Sequence, residues 1–73
     1  MTPKERLRLL WRAAQAARGK ADEAELRREF LDRARKSGLT AAVGRHGEED
    51  VAHVVNWALR GRDPWGSTEF SDG

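Results

Sequence analysis

Apolar residues recur along this chain at intervals of three and four positions, the spacing that places side chains on one face of an α-helix. The clearest series consists of Val51, Val54, Val55, Ala58 and Leu59. Acidic residues precede this series and arginines follow it, as a helix dipole favours, and a glycine and an Asp-Pro pair then stop it. The pattern predicts a helix over 48–60 whose apolar face forms the centre of a small core.

The first part of the chain shows the same periodicity with a well-defined start. Thr2 is suited to the N-cap, Pro3 to the first helical position, and Glu5 to the reciprocal contact of a capping box. The apolar residues that share one face are Leu7, Leu10, Trp11, Ala14 and Ala17. Because Gly19 is a typical helix end, we predict a helix over 3–18.

A second helical segment follows a short turn. Asp22 and Glu25 have the spacing of another capping box, and a glycine ends the segment. Its apolar residues are Leu26, Phe30, Leu31 and Ala34. Oppositely charged residues four positions apart, such as Glu29 and Arg33, support its exposed face. The pattern predicts a helix over 22–37 with a structural role.

Together these segments predict an all-α fold, a small three-helix bundle with helices at about 3–18, 22–37 and 48–60. The linker before the third helix has space for one more helical turn at 40–43, with Leu39 and Val43 spaced to enter the core. We expect residues 1–65 to form a single helical domain and the polar segment 66–73 to be a flexible acidic tail.

Composition narrows the classes of protein further. A chain of 73 residues forms one domain at most, and its small core gives it only a thin margin of stability. Oligomerisation or a bound partner would add to that stability. The absence of cysteine excludes a disulfide scaffold, a thiolate metal site and a cysteine nucleophile. Because no apolar run has membrane-spanning length and the start does not resemble a signal peptide, we expect a cytoplasmic protein without membrane contact.

Charge is distributed unevenly along the chain. The net charge is +2, but residues 1–20 carry +5 and residues 63–73 carry −3. A basic segment of this kind favours a polyanionic partner. The candidate nucleic-acid-binding residues are Lys4, Arg8, Arg12, Arg18, Lys20 and Arg45. The acids that open the third helix would repel phosphate, so we expect the first or the second helix, with the loop around Arg45, to contact the nucleic-acid backbone. The first helix, through Lys4, Arg8 and Arg12, is the preferred choice.

The tryptophans support a second hypothesis, contact with a protein partner. Trp and Arg dominate the energetic centres of protein interfaces, and Trp57 falls outside the apolar series of its helix. The candidate protein-binding residues are Trp11, Trp57, Trp65 and Arg60. Leu9 widens the apolar face of the first helix, which leaves a homo-oligomer open as well. The ordinary alternative for such tryptophans is core completion, with the indole N–H bonded to a carbonyl.

Catalysis and metal binding receive little support. His46, Asp50 and His53 have the spacing of ligands on one helical face, but a capping acid and two surface histidines explain them as well. No serine has a nucleophile-elbow pattern, and the glycines match no phosphate-binding fingerprint. We therefore predict a protein that is not an enzyme, with no metal site and no cofactor.

Residues 44–65 resemble a segment of a known group of phage proteins. After Gly44-Arg45 and a short loop, this segment reads EEDVAHVVNWALRGRDPW. The order of acids, valines, Asn-Trp-Ala-Leu and Asp-Pro-Trp resembles the C-terminal helix segment of phage replication initiators and replisome-organiser-like proteins. The resemblance implies a phage or mobile-element origin and an accessory role near nucleic acid, and it identifies no catalytic residue.

The first functional hypothesis is therefore a small non-enzymatic regulatory or accessory protein that contacts nucleic acid through a basic face. The alternative is a protein-interaction module, such as a phage-encoded inhibitor or adaptor of a host protein complex. The two hypotheses use different residues of the chain, the cations in one case and the tryptophans in the other.

Overall fold

The computed structural model describes residues 2–62, and within this range the chain forms four α-helices and no β-strand. The helices are α1 (Pro3–Ala17), α2 (Glu23–Lys36), α3 (Leu39–Val43) and α4 (Gly47–Leu59). The predicted all-α bundle is confirmed, and the further turn expected at 40–43 is a short helix of its own. In this range no helix has the length and apolar character needed to cross a membrane. The predicted domain end at 65 and tail at 66–73 lie outside the described residues.

α4 occupies the centre of the bundle. Val51, Val54 and Val55 are fully buried, and Ala58 and Leu59 are buried beside them. The helix packs against each of the other three, most extensively against α1. A helix that meets three neighbours needs a wide apolar face, and this five-residue series supplies it. The prediction that the series lines the core is confirmed.

The other helices cover α4 with the faces predicted for them. α1 contributes the buried Leu7 and Ala14, and α3 contributes Leu39. The buried residues of α2 are Leu26, Phe30 and Ala34. The residues packed around this core with part of their surface exposed are Leu10, Trp11, Ala17, Leu31, Val43 and Trp57. No polar side chain is buried among residues 2–62, so this core is held by apolar packing.

One predicted helix cap is confirmed and another is wrong. The Oγ1 atom of Thr2 accepts a hydrogen bond from the Glu5 N–H at 3.2 Å, which confirms the Thr2 cap. The Glu5 carboxylate accepts from the Thr2 hydroxyl at 3.2 Å, and not from the main-chain N–H that a capping box uses. Asp22 occupies the N-cap position of α2, but its side chain makes no capping hydrogen bond. Because this end of α2 is exposed, water can satisfy the N–H groups that the predicted box with Glu25 would have used.

Gly47 determines how closely α3 and α4 approach each other. This glycine is buried at the first position of α4, and a Cβ atom built on it would overlap the main-chain carbonyl oxygen of Thr40. Only a residue without a side chain fits this crossing. The junction between α3 and α4 therefore depends on a glycine that lies just before the helix predicted over 48–60.

Candidate nucleic-acid interface

The C-terminal turn of α4 is held against the middle of α1. The indole N–H of Trp11 donates to the main-chain carbonyl of Arg62 at 2.9 Å, and the N–H of Arg62 donates to the carbonyl of Trp57 at 2.8 Å. Gly61 adopts a φ of 74°, and its N–H donates to the carbonyl of Ala58 at 3.1 Å. The bonds donated by Arg62 and Gly61 form the Schellman closure of a helix, so the helix stop predicted at this glycine is confirmed.

This joint places residues of two helices on one surface. On each helix, three residues recur at the four- and three-residue spacing that defines one side of a helix. We call the surface the basic edge, and its residues are Lys4, Arg8, Trp11, His53, Trp57, Arg60 and Arg62. The four cationic residues and His53 are exposed, and the two tryptophans are half-buried. Arg12, which is also exposed, extends the row one turn beyond Arg8.

The two tryptophans of the basic edge serve the fold as well as the surface. The indole N–H of Trp11 is bonded to a carbonyl, which is the usual arrangement in a tryptophan that completes a core. The ring of Trp57 stacks on His53, with 5.8 Å between ring centroids and 25° between ring planes. Only the exposed part of each tryptophan side chain is therefore accessible to a ligand. The third predicted anchor, Trp65, lies outside the described residues.

Arg18 and Lys20 continue the positive charge past the end of α1. The guanidinium of Arg18 lies against Gly61, so close that a side chain at that position would meet its Nη1 atom. Lys20 follows in the turn toward α2, where it is exposed and its N–H donates to the carbonyl of Ala17 at 3.0 Å. These two cations lie at the end of the bundle that also carries Arg60.

Arg45 lies apart from the other candidate nucleic-acid-binding residues. It lines a depression at the start of α4 together with His46, Glu48 and Glu49. α4 has 13 residues, so its two ends are about 20 Å apart along the helix axis. Because Arg45 precedes α4 and Arg18 contacts the turn that follows it, the six candidates do not form one compact site.

The acids of α4 lie in its first turn, where Asp50 is one helical turn before His53 of the basic edge, and none lies near Arg60 at the other end of the helix. Glu48 forms an ion pair with Arg35 of α2 at 2.9 Å. Further along, Arg27 of α2 donates to the side-chain oxygen of Asn56 at 2.6 Å. These two contacts place α2 on the side of α4 opposite to Trp57. The repulsion expected between phosphate and the acids is therefore weakest at the C-terminal end of α4.

Two members of the basic edge were not selected from the sequence as binding residues. Arg62 follows the stop signal of α4, and its position depends on the left-handed Gly61, which turns the chain back toward Trp57. A Schellman closure inferred from Gly61 could have identified it. His53 lies one helical turn before Trp57, and this spacing could have indicated the stacked pair.

The residues considered for metal binding or catalysis have separate positions. His46 is the N-cap residue of α4, Asp50 lies half-buried in its first turn, and His53 stacks on Trp57. The hydroxyl of Ser37 donates to a carbonyl at the end of α2, at 3.1 Å. Each of these contacts has an ordinary structural explanation.

No protein-family model matches this chain, and no curated protein and no solved structure matches it. The resemblance of residues 44–65 to phage replication proteins stays a prediction from the sequence.

Proposed function

We propose that this chain is a small non-enzymatic regulatory or accessory protein, of phage or mobile-element type, that binds nucleic acid through the basic edge. The observation that carries the proposal is the hydrogen bond from the Trp11 indole to the Arg62 carbonyl. This bond joins the cationic side of α1 to the cationic end of α4. The resemblance noted for residues 44–65 agrees with this assignment.

The chemistry of the basic edge is suited to phosphate. Exposed Lys and Arg side chains release counterions when they neutralise phosphates, which supplies affinity without sequence specificity. Lys4 and Arg8 lie on one side of α1, and Arg60 and Arg62 follow the C-terminal end of α4, which Trp11 holds against α1. Four cations on one surface therefore supply backbone contacts, which position a nucleic acid without reading its bases.

The aromatic residues give the same surface a second kind of contact. Bases stack on aromatic rings, and this contact tolerates any sequence. Trp57 is half-exposed, and its stacking on His53 holds the ring in a fixed orientation. A single strand, whose bases are accessible, would use Trp57, whereas a duplex would use the cations alone.

Fluorescence anisotropy with short labelled nucleic acids tests the proposal. We expect binding of both a duplex and a single strand at low salt, with duplex affinity falling about 100-fold between about 50 and 200 mM salt if four phosphates are contacted. The double variant Arg8→Glu/Arg12→Glu should weaken binding at least tenfold, because it replaces two attractive charges by repulsive ones.

The matched control changes the same number of charges on another helix. Arg28 and Lys36 are exposed on α2, which meets α4 through Asn56 and Glu48 and contributes no residue to the basic edge, so Arg28→Glu/Lys36→Glu should retain most of the binding. Equal losses in the two double variants would show that net charge alone attracts the nucleic acid. Absence of binding at low salt would overturn the proposal.

The half-exposed tryptophans favour one alternative on the same surface, an inhibitor or adaptor that binds a protein. Trp57 with Arg60 one turn later has the composition of an interface anchor. This alternative predicts that the chain binds no nucleic acid and that Trp57→Ala, rather than Arg8→Glu/Arg12→Glu, abolishes capture of the native partner.

A further inference from the structure

A second surface of the molecule is an apolar groove between α1 and α2, closed at one end by α3. The groove has a volume of about 300 Å³, and its lining residues are Arg6, Leu9, Leu10, Arg33, Ala34, Ser37 and Leu39. We call it the α1–α2 groove. Leu9 is 48% exposed and is the one large hydrophobic residue classed as exposed among residues 2–62. Apolar residues that are gathered in a groove, rather than exposed singly, are characteristic of interaction sites.

The α1–α2 groove is separate from the basic edge. Arg6, Leu9 and Leu10 follow the three- and four-residue spacing of one side of α1. Lys4 and Arg8 follow the same spacing on another side of the helix. A ligand in the groove and a nucleic acid on the basic edge would therefore contact different sides of α1.

The rim of the α1–α2 groove carries two arginines, and it keeps a net positive charge although Glu29 neutralises Arg33. Arg6 donates to the main-chain carbonyl of Ser37 at 2.8 Å and to its hydroxyl oxygen at 3.3 Å, and it makes no ion pair within the described range. Arg33 pairs with Glu29 at 2.8 Å, and its guanidinium lies 4.9 Å from the ring centroid of Phe30. Both arginines are thus held in position, and no acidic residue lines the groove.

We propose that the α1–α2 groove binds an amphipathic, acidic helical segment of a partner protein. Apolar side chains three or four positions apart in that segment would fill the space beside Leu9 and Leu39, as in other helix-in-groove contacts. Its Asp or Glu side chains would meet Arg6 and Arg33, because charge-assisted hydrogen bonds to arginine are directional and favour carboxylates.

A second copy of this chain fits the groove less well. A symmetric contact between two copies uses the same patch on both, so the surface that carries Arg6 and Arg33 would face the same positively charged surface of the other copy. Like charges placed together in an interface oppose association. The occupant must therefore bring carboxylates as well as apolar side chains, which a partner of acidic composition does.

Selection from a displayed peptide library tests this proposal on the full chain. The library holds random peptides about three helical turns long, and bound peptides are sequenced and then synthesised for affinity measurement. We expect enrichment of peptides with two apolar residues three or four apart and with adjacent Asp or Glu. Leu9→Asp should lower the affinity for the synthesised peptides at least tenfold, which corresponds to about 1.4 kcal/mol. The double variant Arg6→Glu/Arg33→Glu should have an effect of the same size.

Two controls keep this test separate from the nucleic-acid proposal. Ala16 is exposed on α1 and does not line the groove, so Ala16→Asp should leave peptide affinity unchanged. The Arg8→Glu/Arg12→Glu variant should still bind the peptide but lose affinity for nucleic acid. The Leu9→Asp variant should lose affinity for the peptide but still bind nucleic acid. Either proposal can thus fail without the other.

Three results would overturn the assignment of an acidic partner segment. Enriched peptides that are basic, or whose affinity is unaffected by Leu9→Asp, would show that the groove is not their site. A concentration-dependent dimer that is lost in Leu9→Asp would identify a second copy as the occupant. Peptide binding that appears only after Phe70→Ala would identify the chain's own acidic segment, in which Phe70 lies between Glu69 and Asp72.

Discussion

α4 and α1 are helices of similar length that use their surfaces in different ways. α4, with 13 residues, buries a five-residue apolar series against three neighbouring helices. α1, with 15 residues, fully buries only Leu7 and Ala14 and leaves Leu9 almost half exposed. α4 lies at the centre of the bundle and α1 at its margin. α1 therefore leaves two sides exposed, one that carries cations and another that offers an apolar contact.

This difference separates residues that maintain the fold from residues that are available for binding. Around α4, an added methyl group would overlap closely packed main-chain atoms, which cannot shift without moving a whole helix. On the exposed sides of α1 and α2, side chains meet solvent and contribute little to stability. Loss of stability should therefore decrease from the α3–α4 junction, through Trp11, to the solvent-exposed side of α2.

The largest effect on stability is expected at Gly47. A methyl group there would overlap the Thr40 carbonyl oxygen, so Gly47→Ala should destabilise the protein by about 3 kcal/mol. The control is Gly38→Ala, where nothing lies within 4 Å but φ is +79°, and backbone strain alone should cost about 1 kcal/mol. Urea unfolding measures both, and equal losses would contradict the proposed steric conflict.

A smaller effect is expected at the joint between α1 and α4. Trp11→Phe retains an aromatic ring but removes the N–H that donates to the Arg62 carbonyl, so stability should fall by about 1 kcal/mol. Leu9→Ala, on an exposed side of the same helix, should change it by less than about 0.5 kcal/mol. If Trp11→Phe were equally neutral in urea unfolding, the joint would not hold α4 against α1.

The smallest effect is expected on α2, where Lys36 contacts Asp32 at 2.9 Å. A hydrogen bond from Lys36 to Asp32, and then the charge of that carboxylate, raise the pKa of Lys36 above its ordinary value of 10.5. Because the pKa is raised on folding, the ion pair stabilises the folded state below pH 10.5. This contribution to the free energy of unfolding is lost as the pH rises through the folded-state pKa.

Asp32→Asn should therefore lower the pKa of Lys36 in an NMR titration, with almost no change in unfolding because the amine is fully exposed. Glu29→Gln, one turn earlier on α2, is the control and should leave this pKa unchanged. A Lys36 pKa that is the same with Asp32 or Asn at position 32 would show that the ion pair does not form in solution.

The core could be predicted from the sequence because helical periodicity decides which residues share a face. Their spacing alone assigns Val51, Val54 and Val55 to the interior, whichever helices pack against them. Gly47 could not be assigned in this way, because its contact with Thr40 exists only when α3 crosses α4. A close approach between two main chains leaves no periodic signal in either segment.

The candidate site could be predicted only in part, for a related reason. Spacing shows that Lys4 and Arg8 share one side of α1 and that Arg6 and Leu10 share another, but not which neighbouring helix each side meets. That depends on how α2 and α4 pack against α1. Charge alone places Arg45 in one group with the cations of α1, whereas in the structure the length of α4 separates it from Arg18.

The central claim is that nucleic acid binds where α1 meets the C-terminal turn of α4. A ¹H–¹⁵N and methyl NMR titration of the full chain with a short duplex tests it most directly, since the Trp11 indole N–H lies at that joint. The account predicts shifts of the Trp11 indole and of the Arg8 and Arg62 amides, with unchanged methyl signals of Leu9 and Leu39. Shifts confined to those two leucines, or none at all, would contradict it.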